Sequence, residues 1–449
     1  MPGDLVVLLD VPESRRISEL ERLRRPSKRT TGTGMAKALE RVDEISSFHL
    51  GRVKPSDAGH SACPSQPRGG LHPVCEPIAQ QEAHMRLVVV GAGYAGTIAA
   101  NRLARKVTAA EITVINPRPD FVERVRLHEQ IAGTGAAATP LTSMLSAGIT
   151  TRVGTVDKIG DGQVTLGDGV GLDFDYLFLA VGSTVAPLPG TLPVGTWEGA
   201  EMARAALAEL PGGKVVTVIG GGLTGIETAS EIAFGRPDLR VRIVGQTIAA
   251  SLSAGARKRV RTGLDRLNVE VVEDSVAQLV PDAGEGGGDM VRLNSRAPVT
   301  SDLTLWAIIG SVPDLAARSG LEVDADGRAV VDEHLRSVTD PRIFVVGDCA
   351  AVPGSRAACA TAMPQGAHAA DTLARMIQGR KPKPYSMGYT GQALSLGRRD
   401  GLLQVNRRND TVRRLYFAGR TAAVAKERIC RYAKFGAGTA TYAWLRGSR

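Results

Sequence analysis

An apolar strand pattern that runs into a glycine turn and an amphipathic helix occurs twice along this chain. In the first copy the strand is Leu87–Val90, the helix runs from Gly93 to about Arg105, and a second strand follows at Glu111–Ile115. Short, nearly continuous apolar runs are typical of strands buried in a parallel sheet. The pattern therefore predicts a βαβ unit of the expected length, about 30 residues.

The second copy repeats this order, with its glycine turn 129 positions further on. It places a strand at Val215–Ile219, a helix at Leu223–Ala233 and another strand at Arg240–Val244. Two βαβ units predict an α/β fold with two Rossmann-like domains, the second inserted in the first, followed by a small C-terminal β-meander and helix.

Between and after these units the pattern predicts shorter elements separated by glycine- and proline-rich turns. The predicted strands are Arg152–Val156, Gln163–Leu166, Phe174–Leu179, Arg342–Val346, Gln392–Leu396, Gly401–Val405 and Val412–Phe417. The predicted helices are Gly199–Leu210, Ala360–Gln378 and a basic amphipathic helix from about Thr421 to Lys434. The remaining segments are a linker at Val185–Pro193, a helix end and strand within Leu264–Leu279, and a flexible hairpin tip at Gly284–Gly288.

Each βαβ unit carries the turn Gly-x-Gly-x-x-Gly between its strand and its helix. The glycines are Gly91, Gly93 and Gly96 in the first turn and Gly220, Gly222 and Gly225 in the second. In such a turn the first glycine makes a tight bend, the second lets the backbone approach a pyrophosphate, and the third lets the helix pack close to the strand. Two turns indicate two bound dinucleotides and electron transfer between them.

The strand after each turn normally ends in an acid that binds the adenosine ribose. Here the first strand ends in Asn116 and the second in Gly245-Gln246. Asparagine still bonds a ribose hydroxyl, so we keep Asn116 as a candidate. The basic residues Arg242, Lys258 and Arg259 form no clear clamp for a 2′-phosphate. We leave the choice between NADH and NADPH open, with NADH favoured.

Composition narrows the class of protein. Of 449 residues, 43% are hydrophobic and 22% charged, which is ordinary for a globular chain. The five cysteines form no Cys-x-x-Cys pair and suit neither a disulfide framework nor a zinc site, so we expect no metal and a reducing cytoplasm. The net charge of +9 comes from residues 392–449, which hold thirteen Lys or Arg and three Asp or Glu, a net of +10.

Residues 1–84 differ from the rest of the chain. Arg15–Arg29 is dense in basic residues, and Ala62–Pro77 is rich in prolines and glycines without periodicity. The segment is read as a regulatory or targeting extension, as disorder, or as the result of a start codon assigned too early; disorder or misassignment is the favoured interpretation.

Five motifs in order over about residues 85–380 resemble the two-dinucleotide flavoproteins. That family includes the pyridine nucleotide-disulfide oxidoreductases, the type II NADH dehydrogenases and the apoptosis-inducing-factor-like proteins. Besides the two turns, the motifs are strands that end at Gly182, at Gly310 and at Gly347-Asp348. The resemblance implies FAD on the first turn, NADH or NADPH on the second, and a bond from Asp348 to the ribityl chain of FAD.

The resemblance also implies domain boundaries and further cofactor contacts. It places the FAD-binding domain at residues 85–198 and 320–385, the NAD(P)H-binding domain at 199–319 and a basic C-terminal region at 386–449. The further residues assigned to cofactor binding are Tyr94, Ala95 and Thr155.

Two residues are candidates for a catalytic role. Gln365 lies in Met363-Pro-Gln-Gly366, which resembles the type II NADH dehydrogenase segment at the flavin pyrimidine, where it would also contact a quinone. Glu227 lies in the second helix, where family members carry a glutamate that positions the nicotinamide or the flavin. The alternatives are a helix cap for Gln365 and an acid stabilised by the helix N-terminus for Glu227. Arg124 and His128 would either flank the flavin or have a structural role at the surface or in the core.

The basic C-terminal helix admits three interpretations. Its cations Lys426, Arg428, Arg431 and Lys434 alternate with Val424, Ile429, Tyr432 and Phe435. Such a helix docks on anionic lipid, packs on the body of the protein with a solvated charged face, or forms a homodimer interface. Nucleic-acid binding is not expected, because no interleaved aromatic pattern or known module is present.

These observations predict an FAD-dependent NAD(P)H oxidoreductase that reduces a quinone or a similar acceptor. We expect it in the cytoplasm, with a peripheral position at the inner face of the membrane as the further option. Two alternatives stay open: a soluble flavin reductase for a ferredoxin-like or small-molecule acceptor, and a redox-sensing NAD(P)H-binding protein without turnover.

Overall fold

Two five-stranded parallel sheets, one for each glycine turn, organise the structure. The computed structural model describes residues 85–281 and 288–447, so the predictions for residues 1–84 and for most of the hairpin tip lie outside the described residues. In spatial order the first sheet consists of Ile343–Val345, Tyr176–Leu179, Met85–Val90, Ala110–Asn116 and Thr150–Val153.

The second sheet repeats this arrangement. In spatial order it consists of Leu192–Pro193, Leu303–Trp306, Val215–Ile219, Arg240–Gly245 and Glu270–Glu273. All its strands precede Ile343–Val345, which returns to the first sheet, so the second Rossmann-like unit is inserted in the first. Leu192–Pro193, within the predicted linker, forms an edge strand, a position that proline tolerates.

Antiparallel sheets flank these two cores. The three-stranded ones are formed by Val156–Ile159, Gln163–Leu166 and Gly171–Asp173; by Val276–Pro281, Asp289–Leu293 and Val299–Ser301; and by Gly391–Ser395, Gly401–Asn406 and Val412–Ala418. Two-stranded pairings join Asp120–Val122 with Ala138–Pro140 and Ala329–Val330 with Ala350–Ala351. The strand predicted at Arg152–Val156 is therefore divided between two sheets.

The helices pack against the sheets along their apolar faces. The α-helices are Tyr94–Lys106, Leu127–Ala132, Leu141–Met144, Trp197–Glu209, Leu223–Gly235, Ala254–Arg266, Leu315–Arg318, Cys359–Ile377 and Arg420–Thr439, and Arg124–Arg126 is a 3₁₀ turn. The last of these, the C-terminal helix, extends five residues past its predicted end.

The C-terminal region contributes to both cores. Ala433 and Ala437 of the C-terminal helix are buried with the first sheet. Leu394 and Leu402 of the C-terminal sheet are buried with the second sheet. Because burial of these side chains removes apolar surface from water on both sides, the C-terminal region stabilises the two Rossmann-like units together.

Candidate active site

The first glycine turn excludes a side chain at two of its positions and is open at the third. Gly91 has a φ of +98°, and a Cβ there would lie 2.5 Å from the carbonyl oxygen of Ala180. A Cβ at Gly96 would overlap the carbonyl oxygen of Gly91, whereas a Cβ at Gly93 would meet nothing within 4 Å. The open side at Gly93 is the surface that the sequence predicts for a pyrophosphate.

The second turn has the same geometry. A Cβ at Gly225 would overlap the carbonyl oxygen of Gly220, and Gly222 is open to the outside. The helices that follow, Tyr94–Lys106 and Leu223–Gly235, have no side-chain hydrogen bond at their N-caps. Their first N–H groups and the positive ends of the helix dipoles are therefore available to an anionic ligand. Both turns fit a dinucleotide pyrophosphate.

Neither strand end presents a free ribose-binding acid. The Oδ1 of Asn116 accepts the backbone N–H of Ala92 at 3.0 Å, and its Nδ2 donates to the carbonyl of Arg118 at 2.7 Å. Asn116 thus closes the first turn from inside the protein. Its predicted contact with a ribose stays a prediction.

The Gly347-Asp348 pair lies beside the crossing segment that follows the strand Tyr176–Leu179. Ser183 Oγ donates to Asp348 Oδ2 at 2.7 Å, and Arg124 Nη1 donates to Ser183 Oγ at 2.9 Å and to its carbonyl at 3.0 Å. Arg124 Nη2 is buried without a hydrogen-bond partner among the described residues, and burial lowers the pKa of this guanidinium. A buried, unpaired N–H fits a polar cofactor group at this place.

Gln365 is held by the protein at both ends of its side-chain amide. Its Oε1 accepts the N–H of Gly347 at 2.7 Å, and its Nε2 donates to Ser355 Oγ at 3.1 Å. The residue is almost fully buried. This geometry orients the loop that carries Asp348; the predicted contact of Gln365 with a quinone stays a prediction.

The two crossing segments meet. Thr184 and Ser311 form an antiparallel bridge next to Gly182 and Gly310. Trp306 Nε1 and Ser311 Oγ are buried without hydrogen-bond partners among the described residues. The crossing points at Gly182 and Gly310 are therefore adjacent, and unsatisfied polar atoms accompany them on the side of the second sheet.

The remaining predicted contacts differ in exposure. Tyr94 packs edge-on against Phe121, and its hydroxyl is buried without a partner among the described residues. Burial raises the pKa of Tyr94 well above its ordinary value. Ala95 is buried where its helix touches Gly366, while Thr155 is exposed beside the edge strand of the first sheet. Contacts of Tyr94, Ala95 and Thr155 with a cofactor stay predictions.

Glu227 is the centre of a buried group contributed by four elements. Its Oε1 lies 2.8 Å from Lys426 Nζ and accepts the N–H of Ser395 at 2.8 Å and its hydroxyl at 3.0 Å. Ser395 Oγ lies 3.4 Å from His128 Nε2. We call His128, Glu227, Ser395 and Lys426 the junction cluster, because it joins helices of both Rossmann-like units to the C-terminal sheet and helix.

The charges in the junction cluster are fixed by their mutual contacts. Burial favours the neutral forms of Glu227 and Lys426, but their attraction outweighs it, so the pKa of Glu227 lies below and that of Lys426 above its ordinary value. Burial lowers the pKa of His128 to about 4. At neutral pH the cluster therefore holds an ion pair beside an uncharged imidazole.

A second set of buried charges surrounds this cluster. Arg398 lies 3.1 Å from Glu129 Oε1 and 2.7 Å from Glu231 Oε1, and both carboxylates are buried. Arg126 reaches Glu427 of the C-terminal helix at 2.8 Å. We missed these partners in the sequence, although two acids four residues apart on the apolar helix Leu223–Gly235 are a signal for buried basic partners.

The C-terminal helix packs on the body of the protein, which is one of its three interpretations. Lys426 faces inward, as described above, and Lys434 Nζ lies 3.0 Å from Glu123, so neither cation belongs to a solvated face. The outward side carries the exposed apolar residues Val424, Ile429, Tyr432 and Phe435 together with exposed Arg428 and Arg431. The helix thus packs on the body through small side chains and the inward-facing Lys426, and it exposes a face of apolar and basic residues.

No helix among the described residues is long and apolar enough to cross a lipid bilayer. No three His, Cys, Asp or Glu side chains in the same part of the chain are grouped as metal ligands.

Paired dinucleotide turns on two parallel sheets, one inserted in the other, define a two-dinucleotide oxidoreductase. The model of the pyridine nucleotide-disulphide oxidoreductase family matches residues 85–374, and the chain belongs to that family. Membership confirms the expected α/β fold, the resemblance and the class of FAD-dependent NAD(P)H oxidoreductases.

Several individual proteins are similar over most of the described chain. Ferroptosis suppressor protein 1 of Taeniopygia guttata is 30% identical over 367 residues, 77% of this chain and 94% of that protein. An NADH dehydrogenase-like protein of Mycobacterium tuberculosis is 31% identical over 301 residues, 59% of this chain and 73% of that protein. The solved sulfide:quinone oxidoreductase of Aquifex aeolicus shares the fold, with a TM-score of 0.64 and 18% identity over 80% of this chain and 92% of that one.

Proposed function

We propose that this protein oxidises NAD(P)H through FAD and reduces a quinone at a membrane surface. The observation that carries the proposal is the pair of open pyrophosphate turns, one in each of two nucleotide units that contribute helices to the junction cluster. Similarity to NADH dehydrogenase-like proteins supports the donor half of the reaction.

The residues present fit FAD on the first turn. The open backbone at Gly93, the uncapped helix that follows and the unpaired Nη2 of Arg124 would receive the pyrophosphate and other polar groups, and Asp348 would accept a ribityl hydroxyl. We assign this cofactor to residues 85–198 and 320–385, and NAD(P)H to residues 199–319 with its pyrophosphate over Gly222. When bound, FAD supplies the site that takes up a hydride and releases its electrons one or two at a time.

The chain itself aligns and shields the reaction. The bridge between Thr184 and Ser311 fixes the spacing of the two crossing segments. The Glu227–Lys426 pair fixes the helix of the nicotinamide-binding unit against the C-terminal helix. Since Glu227 and Lys426 both stay charged when buried, they neutralise each other and serve to hold the two helices in place.

The exposed face of the C-terminal helix supports a lipid-soluble acceptor. Ile429 is 51% and Phe435 55% exposed, and Leu415 on the neighbouring strand is 53% exposed. Arg428 and Arg431 lie on the same side of the helix. Exposed apolar side chains flanked by cations match an anionic membrane surface, where a quinone is dissolved.

Stopped-flow reduction of the bound flavin tests the donor and the acceptor separately. We expect rapid bleaching by a nicotinamide nucleotide, multiple turnovers with a quinone, and faster turnover with anionic liposomes than without them. Asp348→Ala is expected to purify without FAD. A single slow reoxidation after one reduction would favour the redox-sensing alternative. Turnover with a ferredoxin but not with a quinone would favour the soluble flavin reductase.

The membrane half of the proposal has its own variant. Ile429→Ser with Phe435→Ser removes apolar area from the docking face and should reduce co-sedimentation with anionic vesicles at least severalfold. Met202→Ser is the matched control, because Met202 is an equally exposed apolar residue (57%) on a helix of the other unit. Equal sedimentation of all three proteins would contradict membrane docking. Light scattering on the same samples would detect a homodimer.

A further inference from the structure

The two Rossmann-like units differ at the place where an adenosine ribose lies. The N–H of Gly91 donates to Ile115 O, and the N–H of Gly220 donates to Val244 O, both at 2.8 Å. Asn116 and Gly245 are therefore equivalent positions. A Cβ at Gly245 would lie 2.5 Å from the backbone nitrogen of Gly221, so the tight second turn excludes a side chain there.

Only the second unit has an acid, Glu273, at the end of the strand next to the one that carries the equivalent position. Gly245 pairs with Glu273 at the carboxyl end of the neighbouring strand, while Asn116 pairs with the apolar Val153. The N–H of Ile248, in the loop after Gly245, donates to Glu273 Oε1 at 3.3 Å. The carboxylate of Glu273 is thus held beside the strand end at Gly245, where a ribose acid is expected.

The surroundings of Glu273 determine its charge balance. Arg261 Nη2, on the helix Ala254–Arg266, lies 2.9 Å from Glu273 Oε1, and both side chains are 43% exposed. Both contacts of the carboxylate use Oε1. Two of the three cations considered in the sequence, Arg242 and Arg259, pair with Glu270 and Asp400, and the third, Lys258, is exposed on the helix Ala254–Arg266.

We propose that Glu273 reads the adenosine ribose of the nicotinamide nucleotide and makes the second site select NAD(H) over NADP(H). This rests on the proposed binding of NAD(P)H over the second turn. The Oε2 atom accepts the ribose 2′-hydroxyl, and the same carboxylate repels a 2′-phosphate. Because Arg261 is already neutralised by Glu273, it offers a 2′-phosphate no net attraction.

Equilibrium binding tests the proposal without turnover. Calorimetric titration of the FAD-loaded protein with NAD⁺ and with NADP⁺ gives two dissociation constants for each variant. We expect the wild type to bind NAD⁺ more tightly. Glu273→Ala should weaken NAD⁺ about tenfold, the loss of one good charge-assisted hydrogen bond, and should strengthen NADP⁺ through the released Arg261.

Matched variants separate ribose recognition from general damage. Glu270→Ala removes an acid of the same strand that also pairs with an arginine, 2.8 Å away, but it lies at the other end of the strand. It should leave both dissociation constants unchanged. Arg261→Ala in the Glu273→Ala background should abolish the gain in NADP⁺ affinity.

Two results would overturn the inference. One is a wild type that binds NADP⁺ as tightly as NAD⁺; the other is a Glu273→Ala variant with an unchanged ratio of the two constants. Failure of the wild type to bind either nucleotide, with FAD in place, would instead remove the proposed function, and the inference with it.

Discussion

At the scale of single residues, Gln365 and His128 are buried polar side chains that contact other protein groups. Both were candidates for contact with a cofactor, and both have their hydrogen-bonding atoms directed at the protein. A residue of this kind influences a reaction by holding other groups in position.

Gln365→Ala should weaken FAD binding without unfolding the protein. The change removes the acceptor of the buried Gly347 N–H, which costs about 1–3 kcal/mol and loosens the loop of Asp348. We expect the dissociation constant of FAD, measured by fluorescence on reconstitution, to rise about tenfold. Gln378→Ala, an exposed glutamine at the end of the same helix, is the control. Equal FAD affinity in both variants would exclude a positioning role.

His128 should make stability depend on pH. The pKa of His128 falls from an ordinary 6.5 to about 4, with Glu227, Lys426, Glu129 and Arg398 as its charged neighbours. Between these values the unfolded chain binds a proton that the folded chain does not, so stability falls as pH decreases, by about 1.4 kcal/mol per pH unit. His128→Asn should remove this contribution between pH 6.5 and 4.5, measured by urea unfolding.

Comparison above pH 7 supplies the control for His128. There the imidazole is uncharged in both states, so the difference in stability between wild type and variant should not vary with pH. Parallel curves for the two proteins down to pH 4.5 would show that His128 is protonated in the folded state.

At the scale of elements, buried charges attach the C-terminal region to both nucleotide units. Arg398 lies in the turn between two strands of the C-terminal sheet and pairs with Glu129 and Glu231 on two different helices. The end of the C-terminal helix is held in turn by Asn101, whose Nδ2 donates to Ala437 O at 2.8 Å. These contacts set the orientation of the C-terminal helix and so direct its apolar face outward.

Arg398→Leu should destabilise the protein strongly. It leaves the buried carboxylate of Glu231 without its cation, a loss of about 3–5 kcal/mol, whereas Glu129 keeps Arg126 at 3.1 Å. Arg399→Leu is the matched control, since the adjacent side chain is exposed. We expect the thermal unfolding midpoint to fall by several degrees for Arg398→Leu alone. A shared, small decrease would mean that Glu129 and Glu231 are satisfied by other groups.

At the scale of the whole molecule, the junction cluster couples the two nucleotide units. Glu227 belongs to the helix of the second turn, and Lys426 to a helix packed on the first unit. Neither unit contains the complete cluster, so its contacts form only when both units and the C-terminal helix are assembled.

Lys426→Met and Glu227→Gln should be non-additive. Each change alone leaves a buried partner unpaired and is expected to slow flavin reduction by NADH on the order of tenfold, because the units lose their alignment. The double variant should be no slower than the slower single variant. Stopped-flow rates at saturating NADH measure this, with NAD⁺ affinity as the control. Strict multiplication of the two effects would show that the residues act separately.

The sequence by itself determined the two nucleotide turns and the inserted α/β fold. Glycine is required at Gly96 by a contact with Gly91, five residues earlier, and at Gly91 by a φ of +98°, and the apolar runs specify buried strands locally. The family match over residues 85–374 confirms this part.

Only the tertiary structure decided which polar residues meet. Glu273 reaches the end of the strand Arg240–Gly245 through strand register, and Lys426 reaches Glu227 across about two hundred positions of chain. Such contacts depend on strand order, insertion and helix orientation, which no local pattern contains. The missing ribose acid is the clearest case. The sequence shows that the strand ends in Gly245 without an acid, and only the pairing of strands shows that the carboxylate of Glu273 lies beside it.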